Sequence, residues 1–181
     1  LKSRSLSRGD EVKALIMTGK FATDSEYVYA YYRLKEAGFE VDVAVRGNQI
    51  VQGIIGEKIV PTHDIPKSVY KGYKLLILPG GAKAMEYMRQ DVDVINYISA
   101  FHALGKPIGS ICHAAQLLIS AGLVRGRRIS GYYSIKDDIT NAGGTFVDAP
   151  CVIDDNICSS PHYKYLAEWM KGVLSLVKNE V

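Results

Sequence analysis

Lys106-Pro107-Ile108-Gly109-Ser110-Ile111-Cys112-His113-Ala114-Ala115-Gln116-Leu117-Leu118-Ile119 changes its apolar spacing at the cysteine, from continuous up to Ile111 to helical beyond it. The change predicts a short buried strand, Ile108 to Ile111, running into a helix that begins at Cys112. Such a turn sets the thiol above the carboxyl end of a strand and at the first turn of a helix. Backbone N–H groups there lack intrahelical partners and the helix dipole adds partial positive charge, so the thiolate is expected to be favoured. Cysteines so placed have pKa values lowered to roughly 3.5–7.5. A sharp strand-to-helix turn also needs small neighbours. Ser110 and Ala114 stand at the two positions where the serine form of this elbow, G-x-S-x-G, has glycines. The plain alternative for Cys112 is a small buried hydrophobe.

Outward from the elbow, strands and helices alternate. Towards the N-terminus, Val12 to Met17 reads as a strand, Thr18 to Ala22 as a loop, and Asp24 to about Ala37 as a helix stopped by Gly38. Val41 to Val45 is a second strand, which completes the βαβ unit of a parallel sheet. Between Arg46 and Tyr70 there is no helical period; Gly47, Gly53, Gly56, Pro61 and Pro66 punctuate short β-branched runs, so a hairpin and loops are expected. Tyr73 to Leu78 is a buried strand ending at Pro79-Gly80-Gly81, and a helical stretch runs from about Ala84 to Leu104, with Asp91 placed to break it. Beyond the elbow helix, which ends at Gly122, come a strand at Arg127 to Ser130, a helix at Ile135 to Ala142, and Thr145 to Val147. A hairpin turning at Asp155-Asn156 follows, and an amphipathic helix from about Tyr163 to Lys178. The pattern predicts an α/β fold, a three-layer sandwich with helices on both faces of a mainly parallel sheet. Sites in such folds gather at the carboxyl ends of strands: Thr18 to Glu26, Pro79 to Glu86, Cys112-His113 and Gly131 to Ser134.

With 181 residues, 48% of them hydrophobic and 23% charged, the chain suits one domain from residue 12 to 181 behind a flexible, basic, serine-rich tail over 1–11 that carries Lys2, Arg4 and Arg8. The net charge of +3 is small and interspersed, so no nucleic-acid surface is expected. The sequence has neither a secretory h-region nor a long apolar run, so a soluble, cytoplasmic protein without membrane contact is expected. Three cysteines fit a reducing compartment. With a two-residue turn, Ile153 opposes Cys158 and Ser160 opposes Cys151, so those two thiols are not expected to face one another and both are read as structural. No spacing resembles a zinc site, and no cofactor is implied.

A nucleophilic cysteine needs a proton partner, a group that orients that partner, and donors for a developing oxyanion. His113 adjoins Cys112, but successive side chains of an ordinary helix point about 100° apart, so only a strained elbow would bring its ring to the thiol; otherwise it is a surface or interface histidine. Glu26 closes Thr23-Asp24-Ser25-Glu26, which reads equally as a capping box and as a buried acid beside the elbow that, protonated, could hydrogen-bond the thiolate. Gly80 and Gly81 offer unshielded backbone N–H groups for an oxyanion, or simply a turn. Tyr132 is placed to supply a hydroxyl, the alternative being the packing role open to any of the twelve tyrosines.

These residues resemble the PfpI/ThiJ intracellular protease-like family. The likeness rests on Ser110-Ile111-Cys112-His113, on Gln116 through Arg127, on Leu78-Pro79-Gly80-Gly81, on Tyr132 with Ile135 to Ile139, on Asn141-Ala142-Gly143 and on Tyr32 to Gly38. It implies a flavodoxin-like sandwich of the glutamine amidotransferase-like class with Cys112 on a nucleophile elbow, Glu26 hydrogen-bonded to it, and Gly81 in the oxyanion region. It also implies that Glu86 of a neighbouring subunit orients His113, which makes the protein a homo-oligomer with its site at a subunit interface. The implied activity is that of a cysteine hydrolase: intracellular peptidase, or glyoxalase or deglycase acting on small carbonyl compounds or glycation adducts. The competing function is a redox-sensing or chaperone-like stress protein in which Cys112 is oxidised rather than turned over. Departures from the family are Ala114-Ala115 in place of Gly-Pro, Thr23 where many members have an acid, one residue inserted between Gly81 and Glu86, and no arginine after Ser159-Ser160. His162-Tyr163-Lys164 lacks the glutamate of a glutaminase triad, so that chemistry is rejected.

Overall fold

A computed structural model describes residues 12–178, and the basic tail expected over 1–11 lies outside the described residues. The elements in chain order are β1 (Lys13–Met17), α1 (Asp24–Glu36), β2 (Glu40–Ala44), β3 (Val51–Gln52), β4 (Lys58–Ile59), β5 (Tyr73–Leu78), α2 (Ala82–Met88), α3 (Val92–Ala103), β6 (Ile108–Ile111), α4 (Ala115–Ser120), β7 (Arg128–Ile129), α5 (Lys136–Asn141), β8 (Thr145–Phe146), β9 (Val152–Asp154), β10 (Ile157–Ser160) and α6 (Leu166–Lys178).

Six strands form the central sheet in the order β2-β1-β5-β6-β10-β9. All neighbours run parallel except β9, which pairs antiparallel with β10 at one edge. The chain steps to one side after β1 and to the other after β5. Right-handed crossovers therefore put α1 on one face and α2 with α3 on the other. Helix α6 packs against α1, β6 and β10, and α4 against α2, α3 and α5, which gives three layers. The expected sandwich is the observed one. The runs Leu15-Ile16-Met17 and Leu75 to Leu78 are fully buried because helices cover both faces of these strands.

The helical stretch after Gly81 is broken where Asp91 caps α3, its carboxylate accepting from the Asp93 N–H at 3.0 Å. The glycine-punctuated region holds the expected hairpin, β3 with β4, and the strands flanking α5 form a separate parallel pair, β7 with β8. The C-terminal hairpin has the expected register, with Cys158 opposite Ile153. One expectation fails there: the sulfurs of Cys151 and Cys158 lie 3.4 Å apart. Cys151 is two residues before Ile153, so it shares the face of Cys158 and is its diagonal neighbour, a relation that opposite-residue pairing overlooks.

Gly109 in β6 sets how closely α6 approaches the sheet. A Cβ there would stand 2.8 Å from both Ile77 Cδ1 and Val173 Cγ2. Gly109→Ala is expected to lose about 1–3 kcal/mol of unfolding free energy through overpacking, read from urea midpoints.

Candidate active site

The elbow hangs from the end of β6, in the interior of the sheet. Ile111 is extended, with φ −136° and ψ 146°, and Cys112 then adopts φ +59°. Left-handed backbone costs a non-glycine residue on the order of 1 kcal/mol, so surrounding contacts must hold it. One is the Tyr132 N–H, which donates to the Cys112 carbonyl at 3.0 Å. The chain continues through a 3-10 turn, Cys112–Ala114, before α4 begins, so the cysteine precedes the α-helix rather than opening it.

The left-handed residue removes the objection to adjacent side chains meeting. His113 Nδ1 lies 3.4 Å from Cys112 Sγ. The imidazole stacks on the Tyr132 ring at 4.6 Å between centroids, and its Nε2 lies 3.3 Å from Ser134 Oγ. Tyr132 thus meets His113 with its ring face rather than its hydroxyl. Ser134 sits in the Gly131 to Ser134 stretch marked as a strand end, although nothing in its spacing singled it out. Burial lowers the His113 pKa, so the ring is neutral at pH 7.

Glu26 resolves its two readings. Thr23, at the N-cap of α1, makes no side-chain cap bond, and the neighbouring Asp24 instead accepts from the Ile55 and Glu57 N–H groups at 2.9 and 2.7 Å. Glu26 is fully buried, and its Oε2 accepts the Gly80 N–H at 2.8 Å. Its other oxygen, Oε1, has no hydrogen-bond partner in the geometry as it stands, and the carboxyl interacts with the Cys112 side chain. Burial pushes the Glu26 pKa up to about 8, against the pull of the Gly80 N–H, so the acid is mainly protonated at pH 7.

Two expectations change here. The Gly80 amide is committed to Glu26, so the backbone donors facing the sulfur are the N–H groups of Gly81 and His113. The thiol is not lowered; burial, and secondarily the negative charge of an ionised Glu26, push it up, while those two amides pull it down. Neither of these larger effects is local in sequence, whereas the helix terminus is. Protonation of Glu26 removes the charge repulsion and leaves a carboxyl proton to share with sulfur.

Six of the seven expected site residues, Glu26, Gly80, Gly81, Cys112, His113 and Tyr132, come together. Glu86 does not join them within one chain; it lies exposed on α2, paired with Lys83 at 3.2 Å. Among the described residues, no group of three or more His, Cys, Asp or Glu side chains could hold a metal ion, and no helix is long and apolar enough to cross a membrane.

The fold is a mostly parallel α/β sandwich of the flavodoxin-like class, with a left-handed cysteine at a strand-helix junction beside a buried acid. The sequence matches the DJ-1/PfpI family over residues 12–176, and the chain belongs to that family. It is 38% identical to a deglycase of Pyrococcus horikoshii over 167 residues, covering 92% of this chain and 100% of that one. It is 35% identical to protein/nucleic acid deglycase 2 of Escherichia coli, covering 78% and 82% of the two chains. The crystal structure of Drosophila melanogaster DJ-1beta superposes with a TM-score of 0.85 at 25% identity, covering 94% and 92%.

The buried acid gives stability a pH dependence of fixed sign. Its native pKa of about 8 lies above the ordinary 4.5, so the native state holds a proton that the unfolded state releases between those values. The Glu26 contribution to stability is fully present below about pH 4.5 and falls as pH rises towards about 8, in total by a few kcal/mol on the order set by linkage. Glu26→Gln should flatten this slope, which urea unfolding of both proteins across that range would measure.

Proposed function

We propose that the protein is a cysteine-dependent hydrolase or deglycase in which Cys112 adds to a carbonyl carbon. The observation that carries this reading is the left-handed Cys112, whose Sγ lies 3.4 Å from His113 Nδ1 and faces the backbone amides of Gly81 and His113. Neutral His113 accepts the thiol proton, and protonated Glu26 hydrogen-bonds the sulfur, so the thiolate forms as substrate arrives rather than standing free beforehand. The thiolate attacks the carbonyl carbon, and the oxygen takes the electron pair beside the Gly81 and His113 N–H groups. With an acyl–nitrogen substrate the carbon–nitrogen bond then breaks, the amine leaves with the proton from His113, and water cleaves the thioester. With an α-oxoaldehyde a proton moves between the adjacent carbons before water does the same.

Small carbonyl compounds and glycation adducts suit the site better than folded proteins, because Cys112 is 6% exposed. The deglycase names of the Pyrococcus horikoshii and Escherichia coli relatives support the same substrate class. An exposed Glu86 on α2 is available to reach His113 of a second copy, which would place the working site at a homo-oligomer interface.

Cys112→Ala should lower turnover of methylglyoxal or of a methylglyoxal-treated peptide by roughly 10³-fold or more, as loss of a nucleophile does. His113→Ala should lower it by about 10²–10⁴-fold, as loss of a proton-transfer group does. Steady-state assays of the purified variants would measure both, and unchanged rates in Cys112→Ala would refute the reading. If Glu86 acts across an interface, Glu86→Gln should lower kcat in an oligomer whose mass, by light scattering, is unaltered.

A further inference from the structure

The pair Cys151 and Cys158 lies on the edge hairpin and takes no part in the site around Cys112. Their sulfurs are 3.4 Å apart, and both cysteines are free thiols. Cys151 is partly exposed, just before β9, while Cys158 is fully buried in β10 with its sulfur also 3.6 Å from the Trp169 carbonyl oxygen. The space they occupy is left by Gly172 in α6: a Cβ at that position would stand 2.3 Å from Cys151 Sγ and 2.9 Å from Cys158 Sγ. Glycine inside a helix is unfavourable relative to alanine, so a helical glycine whose missing side chain is replaced by two sulfurs is a packing arrangement, not a neutral choice. The two thiols are also unequal: the one with solvent access accepts a hydrogen bond from its buried neighbour, which favours its thiolate, whereas that same bond, and then burial, hold the other protonated.

We propose that Cys151 and Cys158 form a site of reversible oxidative modification, closing to an intramolecular disulfide on reaction with hydrogen peroxide or another small hydroperoxide. The Cys151 thiolate attacks one peroxide oxygen and the O–O bond breaks, giving a sulfenic acid at Cys151 and one water after proton uptake. Cys158 sulfur then attacks the Cys151 sulfur, its proton passes to the departing hydroxyl, and a second water leaves. Two thiols and one peroxide become one disulfide and two waters; sulfur loses the two electrons that the peroxide gains. The product ties the residue that leads into the outermost strand β9 to β10, adding a covalent link across the antiparallel edge pair.

The test uses the full chain carrying Cys112→Ala, so that the remaining thiols are the two in question and the outcome is separate from the reading of Cys112. After brief treatment with stoichiometric hydrogen peroxide, both thiols should be lost to alkylation, the intact mass should fall by two hydrogens, and dithiothreitol should restore both. Cleavage on the amino side of Asp154 and Asp155 should leave two fragments joined before reduction and separate after it. Adding Cys158→Ala should instead leave Cys151 as a dimedone-reactive sulfenic acid. Adding Gly172→Ala, which crowds both sulfurs, should slow closure severalfold with unchanged circular dichroism. Oxygen atoms added to Cys151 while Cys158 still alkylates, a disulfide between two chains, or two thiols that survive the peroxide would each overturn the proposal.

Discussion

At Gly80 three separated parts of the chain meet with no room for a side chain. A Cβ there would stand 2.7 Å from the Ile111 carbonyl oxygen and 2.9 Å from both Cys112 Cβ and Glu26 Oε2. None of these can retreat cheaply: the first is strand backbone, the second is the elbow, and the third is the buried acid that the Gly80 N–H itself holds. The Gly80 carbonyl accepts in turn from the Thr23 N–H at 3.1 Å, which fixes the entrance to α1. Gly80, just beyond the end of β5, therefore holds Glu26 beside the elbow through its N–H and the entrance to α1 through its carbonyl. Gly81 continues the same constraint with φ +113°, a conformation that turns its N–H towards the sulfur and leaves no space for a Cβ beside the Phe21 carbonyl.

That close packing sets the electrostatics. Burying a carboxyl and a thiol side by side penalises every charged state of the pair, and the penalty is largest when both are ionised. Glu26 responds by holding its proton to about pH 8. Once it does, the repulsion that would oppose a thiolate is replaced by a donor able to stabilise one. The resting state is consequently a neutral thiol beside a neutral acid and a neutral imidazole, and charge develops when a carbonyl presents itself. A site that excludes water in this way suits electrostatic stabilisation by fixed amides, which act more strongly where the local dielectric is low.

How much of this was legible in the sequence depends on how local each signal is. The strand and helix alternation could be read directly, because burial on both faces forces continuous apolar runs and capping residues mark the breaks, as at Asp91. The elbow announced itself through the change of period at Cys112. Glu26 could not be decided, since a capping box and a buried acid have the same four letters; what separates them is an amide 54 residues away in Gly80. The pKa of Cys112 was misread because a helix terminus is visible locally while burial and the neighbouring acid are not. The Cys151 and Cys158 contact does not follow from opposite-residue pairing in the hairpin, because the two lie on a diagonal of the same face. Ser134 falls within the Gly131 to Ser134 strand end, but its contact with the imidazole is defined only by where that ring points.

The edge half of the sheet is not a passive neighbour of the elbow. The Ser130 N–H donates to Ser159 Oγ on β10 at 2.8 Å, with both serines buried, so the strand beside β6 anchors the segment that follows β7. Two residues further on, Tyr132 closes the Cys112 carbonyl and lies under the His113 ring, and Ser134 meets the same imidazole from its other nitrogen. The position of His113 is thus set by a chain of contacts that begins in the sheet, crosses to a loop and returns to the elbow. Each link is a backbone hydrogen bond, a ring contact or a hydroxyl contact rather than an ion pair, so salt would screen little of it. A strained cysteine can be held in this way because the strain is distributed: β5 presses from one side through Gly80, and β10 secures the other through Ser130 and Tyr132.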